Sequence, residues 1–427
     1  MESITHVVVG FSEFLIAKLD ALLPPRSVLV LEEPRVAASR NAEAKLRGHR
    51  CVARLAHAPT QDEHHVDELV ASVARPPHVV AVVPGVEYGV VAAAALAEAW
   101  CLPGAGLSAA RTLRDKGRLR QAAGVAGIAQ PEWRLAGDVR DVAEFRAKHG
   151  GRCVLKPADR QASVGVQVIG PDTDLDSALA ETVAAGDPTR RPRRMPPARL
   201  LVEQLLEGPE VSVEALIDRG EIVRMNVTAK LVLPGPYPVE LGHTVPAAIS
   251  EAAARRLDAS MTDLVAATGF RDGILHAEWF LAEGEFPHLV ECAGRLAGDY
   301  ITTLVDLVYG GSSIADLLAI LAGHGDSVTR ERRPRRGAAI RFLVAAPGTV
   351  RAITGVAQAR SMTGVFLVDM ATEVGASVIR VTSSWDRLGL VMATGPDGDH
   401  SARRAEAAAA AISIDTTAPG RDRSDGE

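Results

Sequence analysis

The sequence predicts a mixed chain: an open parallel α/β sheet first, two α+β lobes next, and a small α+β domain last. Three observations predict it. Residues 1–108 alternate strand-like and helix-like runs, the order that builds a parallel sheet. Residues 273–301 hold two strand-like runs, 274–281 and 288–292, around the turn AEGEFP. Residues 337–413 alternate short apolar runs with turns and end in an Ala-rich stretch. The divisions expected are 1–108, 109–200, 201–329 and 330–413, with a disordered tail over 414–427.

The elements follow in order. His6–Val9 is a β-branched run ending at Gly10, and 11–23 is helical in pattern. Residues 27–31 form a second strand, followed by one helix over 36–48, and 79–83 form another strand. Ligands of such sheets gather at the carboxyl ends of the strands, here Gly10, Glu32 and Glu87. No GxGxxG follows the first strand, so no dinucleotide role is assigned. Residues 109–148 read as helical with a break at 124–131. Lys116 lies in RTLRDKGRLR, a composition that also suits a solvated face. Residues 153–156 and 166–169 are strands around the small polar loop 158–165, which is either a phosphate cover or a plain hairpin. It lacks the GKS or GKT of a Walker loop.

Residues 186–199, GDPTRRPRRMPPAR, carry five Arg and four Pro and read as a disordered surface insertion. An apolar run at 200–202 leads through Glu203, Gln204, Leu206 and Gly208 to a strand over 210–217. Glu203 and Glu210 flank this Gly-containing bend, either as solvated acids or as a hinge that offers a carboxylate to a ribose. Residues 221–230 continue the antiparallel pattern to Lys230, and a Pro/Gly-rich loop precedes Glu240-Leu241-Gly242-His243. Ser250 caps and Gly269 ends an amphipathic helix. After the polar linker 330–336, strands are expected at 339–344, 365–368, 378–381 and 389–392, then a helix over 402–411.

The run 273–301 carries the sharpest chemistry. A hairpin centred between Gly284 and Glu285 sets Glu278 opposite Glu291, roughly 5 Å apart on one face. At an effective dielectric of ~20 the two charges repel by about 3 kcal/mol. The pair therefore keeps a proton or shares a cation, unless the register slips and one Glu turns to solvent. Oxygen ligands that leave room for water and phosphate suit magnesium. Arg295 follows in a Gly-rich segment. His276-Ala277-Glu278 matches the HxE of zinc deaminases, but no PCxxC follows.

Composition sets bounds. The chain has 427 residues, 47% hydrophobic and 23% charged, with a net charge of -6. That balance argues against a general nucleic-acid binder. No apolar run approaches 18 residues and no leader opens the chain, so neither a membrane span nor secretion is expected. The cysteines Cys51, Cys101, Cys153 and Cys292 form no CxxC pair; a cytoplasmic setting is the default.

In this order the motifs resemble the ATP-grasp ligases over nearly the whole chain. They are Asp115-Lys116, Lys156-Pro157 with its flexible loop, the Glu203–Gly208–Glu210 hinge, and two carboxylates thirteen residues apart, Glu278 and Glu291. The likeness is closest to the L-amino-acid ligases, through Glu291-x-x-x-Arg295, Glu240-x-Gly-His243 and the C-terminal domain. Two positions depart from the pattern: Ala293 stands where many relatives have Asn, and the loop has a single glycine, Gly165.

The resemblance implies an ATP-grasp fold and ATP-dependent joining of an amino acid, or a similar carboxylate, to an amine through an acyl phosphate. It implies that Lys116, Lys156, Ser163, Gly165, Glu203, Gln204, Leu206, Glu210 and Lys230 bind ATP, and that Glu278 and Glu291 hold Mg2+, with Mn2+ as an alternative ion. Arg295 is the implied catalytic residue. Glu87, Glu240, His243, Asp299 and Ile301 are the implied substrate residues. Asp299 has two readings: it faces solvent or caps the next segment, or it pairs with a polar or basic substrate. A carboxylase acting through carboxyphosphate and a non-catalytic nucleotide-binding regulator are the alternatives. Small-molecule partners are expected, without nucleic acid or membrane, and a homodimer is allowed for.

Overall fold

The structure, a computed structural model, describes residues 3–330 and 333–417. The first sheet is parallel, in the order Val52–His57, Val28–Glu32, His6–Val9, Ala81–Pro84. Val7, Val8, Val9 and Leu29 to Leu31 are all buried, as a sheet covered on both faces requires. Val52–His57 corresponds to no run picked out in the sequence, because Arg54 and His57 interrupt its apolar pattern. The single helix expected over 36–48 is two, Pro34–Ser39 and Ala42–Leu46. Asn41, at φ 51°, breaks them, a conformation Asn tolerates better than most residues.

The next sheet runs Trp133–Ala136, Leu200–Glu203, Cys153–Pro157, Gln167–Ile169. Its edge strand Trp133–Ala136 falls where helix was expected. Four residues are too short to show a period, and their partner Leu200–Glu203 is distant in sequence. An eight-stranded sheet then continues across residue 330. Its order is Phe286–Ala293, Gly273–Ala282, Glu210–Asp218, Glu221–Val232, Glu240–Val245, Gly337–Leu343, Gly389–Gly395, Val365–Met370. Helix Glu251–Thr268 covers it, capped by Ser250 and ended by Gly269 at φ 68°.

Two expectations of disorder are overturned. Segment 186–199 packs against the first sheet's domain. Asp187, Thr189 and Arg190 are buried. Tyr88 donates to Asp187 at 2.7 Å, Gln61 donates to the Thr189 carbonyl at 2.8 Å, and the Arg191 amide donates back to Gln61 at 2.8 Å. The arginines find acids: Arg194 meets Asp62 at 2.8 Å, and Arg190 pairs with Asp159. A run that looked unable to bury itself is ordered by partners elsewhere in the chain. Likewise residues 414–417, the start of the expected tail, belong to strand Ser413–Thr417, which pairs with Gly348–Thr354. Residues 418–427, and 331–332 of the linker, lie outside the described residues.

Among the described residues no single helix is long and apolar enough to cross a membrane. The bent apolar pair Ile301–Tyr309 and Ser313–Leu321 meets the length and composition of a broken span, yet most of its apolar side chains are buried within the protein.

Candidate active site

The hairpin forms and pairs Glu278 with Glu291, by a route the sequence did not suggest. The tip centres on Gly284, so Ala282 pairs with Phe286 and Trp279 with Leu289. Continued unchanged, that register would oppose Glu278 to Val290. A β-bulge between Glu278 and Trp279 shifts it by one, so Glu278 meets Glu291 and Ala277 meets Cys292. Bulges re-aim side chains in this way next to active sites.

The paired acids do not share one cation here. Each meets a different lysine: Lys230 Nζ lies 2.8 Å from Glu278 and Lys116 Nζ 3.1 Å from Glu291. Burial opposes ionisation of Glu278, but Lys230 and His276 hold it well below the ordinary range. Burial pulls His276 down, yet hydrogen bonds to Glu214 and Glu278 raise it to about 9. Glu210 shares Lys230 with Glu278 and Glu240. Burial, together with the Glu278 charge, holds its carboxyl up at about 7. Lys230 thus serves three carboxylates, and His276 adds a second cation on Glu278.

A cavity of about 680 Å³ opens over these residues, and every expected site residue except Gly165 and Lys230 lines it. Lys230 lies beneath the wall with a side chain 2% exposed. Gly165, at φ +75°, turns the loop back against Pro157, where a Cβ would come within 3.0 Å of the proline ring. The loop before it docks on two other segments: Ser163 donates to the Pro238 carbonyl at 2.9 Å, and the Ser384 amide donates to the Ala162 carbonyl at 3.0 Å.

Glu203 is not a free hinge acid. It is buried between Arg120, at 2.8 Å, and Lys156, at 2.6 Å. Burial opposes its charge, but these two cations hold the carboxyl at about 2. Burial keeps the Lys156 ammonium below its ordinary pKa in spite of Glu203. The Gln204 amide donates to the Glu132 carbonyl, so that group is already used, while Leu206 stands in the wall.

Arg295 donates through Nε to Glu87 at 2.6 Å and through Nη1 to the Leu296 carbonyl at 2.8 Å. Arg114 takes the other Glu87 oxygen at 2.7 Å. Burial resists the Glu87 charge, but the two guanidinium groups hold it at about 2.

Asp299 follows neither reading offered for it. Its carboxylate takes both Nη atoms of Arg387, at 2.7 and 2.6 Å, and lies 3.1 Å from His243 Nε2. Burial opposes ionisation, but these partners hold it well below the ordinary range. Arg387 supplies the cation such an Asp needs, so its charge does not by itself call for a basic substrate. Arg387 in turn stands 3.6 Å over the Phe342 ring. Arg387, Phe342, Arg120 and Arg114 were all missed in the sequence. Their one signal is charge or aromaticity in unremarkable context, and their partners are distant. Ile301 opens a helix at the cavity wall. Glu240 accepts from Ser384 at 2.9 Å and joins the loop, the sheet and the C-terminal turn.

Among the described residues no group of three or more His, Cys, Asp or Glu could enclose a metal ion.

Residues 150–303 match the model of the ATP-grasp domain, and residues 341–417 match that of the L-amino acid ligase C-terminal domain 2. An uncharacterized protein, y4rH, of Sinorhizobium fredii is 27% identical over 296 residues, 69% of this chain and 59% of its own. Alanine--anticapsin ligase of Bacillus subtilis is 25% identical over 236 residues, 52% of this chain and 49% of its own. The chain thus spans between half and three fifths of the length of these relatives. The crystal structure of L-amino acid ligase from Bacillus licheniformis superposes with a TM-score of 0.79, covering 98% of this chain and 100% of that one at 19% identity. That likeness shows a shared fold.

Proposed function

We propose that this chain, which belongs to the ATP-grasp superfamily, is an ATP-dependent ligase that joins an amino acid or similar carboxylate to an amine, releasing ADP and phosphate. The observation that carries this reading is the hairpin register: two carboxylates face each other in a cavity whose wall also holds Lys116, Lys156 and Arg295. Such a set suits phosphoryl transfer, which asks for positioning and charge neutralisation more than for a protein nucleophile.

Magnesium fits the donors. Two opposed carboxylates, with no third acidic, histidine or cysteine ligand grouped with them among the described residues, leave coordination positions for water and phosphate oxygens. Glu278 and Glu291 would hold the ion, which when bound neutralises phosphate charge; Mn2+ is the alternative. Lys116 and Lys156 bind phosphate oxygens, and for that each gives up part of its present hold on Glu291 or Glu203. Leu206 packs the base, and Glu210 meets the ribose.

The substrate carboxylate attacks the γ-phosphorus and ADP leaves. The amine nitrogen then attacks the acyl carbon, a proton leaves the nitrogen, and phosphate departs. Arg295, held by Glu87, faces the oxygens on which charge grows. Glu240 and His243 border the acyl side.

The C-terminal match and the Glu240–His243 loop favour an amine acceptor over a carboxylase reaction. A phosphate-release screen across amino acids, singly and in pairs, tests the proposal. Release that needs both an amino acid and an amine supports it, and release driven by bicarbonate overturns it.

A further inference from the structure

Among the described residues, one cation of the cavity wall has no carboxylate within ion-pair distance. Lys116, Arg120, Lys156, Arg160, Arg295 and Arg387 each sit within ion-pair distance of a carboxylate. Among the described residues Arg40 is the one lysine or arginine of that wall without such a partner. Its Nη1 donates to the Phe11 carbonyl at 2.7 Å, and its guanidinium stands 5.1 Å over the Phe11 ring. Glu32 is the acid whose charge it feels, but Glu32 is already engaged by the Phe11 and Glu33 amides, both at 2.7 Å. The other guanidinium N–H groups of Arg40 have no partner among the described residues. A half-buried arginine fixed by one carbonyl and one ring, with donors to spare, is built to receive a planar anion.

Its place in the wall points to which anion. Gly10 packs so closely on Val86 that a Cβ there would come within 2.1 Å of Val86 Cγ2. Arg40 is tied to Phe11, next to Gly10, and Arg295 is tied to Glu87, next to Val86. The two arginines therefore belong to one rim, at the carboxyl ends of the parallel strands. Phe14 lines the same cavity and meets Tyr300 edge to face at 5.8 Å. In a ligation between two amino acids one carboxylate is consumed near Arg295, while the other survives into the product. The surviving one needs a cation of its own.

We propose that Arg40 anchors the carboxylate of the amine-bearing substrate, so that this substrate is an α-amino acid rather than a simple amine, with an apolar side chain set against Phe11, Phe14 and Tyr300. This rests on the ligase reading above.

The test compares phenylalanine, leucine and methionine with their C-terminal amides as acceptors, by ADP release and by calorimetric binding. The wild type should prefer at least one acid over its amide. Arg40→Gln should raise KM for that acid about 10- to 100-fold, as expected for losing a hydrogen-bonded charge partner. It should leave kcat and the KM of the amide nearly unchanged, and Arg40→Lys should recover part of the loss. Equal losses for acid and amide, or no acid preferred over its amide, overturn the anchor. ADP release that responds to no amine overturns the ligase reading instead, and binding of the acid but not the amide would still uphold the anchor.

Discussion

The two ends of the cavity are held together differently. At the acid-pair end, Glu278 and Glu291 sit on one hairpin, and a local bulge sets their opposition. At the other end, Asp299 and Arg387 are 88 residues apart, and Glu87 and Arg295 are 208 apart. The first end is set within one hairpin and the second by tertiary fit. The first should therefore respond to mutation mainly in chemistry, the second in both stability and chemistry.

The largest effect separating the two ends is Glu291→Gln. It should lower ADP formation by about 10³-fold at saturating magnesium while circular dichroism stays unchanged. Activity near wild type would remove the acid pair from the chemistry.

Arg295→Ala should lower kcat by about 10²–10³-fold with ATP binding little altered. Loss of ATP affinity at intact kcat would make it a nucleotide contact.

Asp299→Ala should cost about 1–3 kcal/mol of stability, because Arg387 loses its carboxylate partner and keeps only the Ser384 and Glu240 carbonyls. Its kcat/KM should fall equally for every substrate. Adding Arg387→Met should return part of the stability in denaturant unfolding. A loss confined to one basic substrate would restore the substrate-pairing reading.

This contrast also explains what the sequence made legible. The parallel sheet of residues 1–108 and the acid pair follow from runs and spacings within one or two elements, whereas the ATP-grasp fold and the roles of Lys156, Glu210 and Arg295 came through the family resemblance. Lys230 was placed through the family resemblance, but its service to three carboxylates at once was not legible. Nor were the ion triad on Glu203, the Arg387 clamp or the packing of 186–199. Each depends on which distant side chain arrives, and periodicity carries no signal for that. The bulge was hidden too: a uniform hairpin gives the same acid pair from a different turn.

A smaller effect probes the buried triad by pH. The Glu203 carboxyl is lowered to about 2, so its contribution to stability is complete above about 4.5, its ordinary value. It is lost as pH falls through about 2. Glu203→Gln should flatten the stability profile between those limits, measured by urea midpoints. An unchanged slope would mean that the triad is open in solution.

γ-Phosphoryl transfer to a carboxylate, the step proposed for this cavity, dictates the nucleotide product. Chromatography of a turnover mixture should show ADP and phosphate formed in step with the amide. AMP with pyrophosphate would contradict the account.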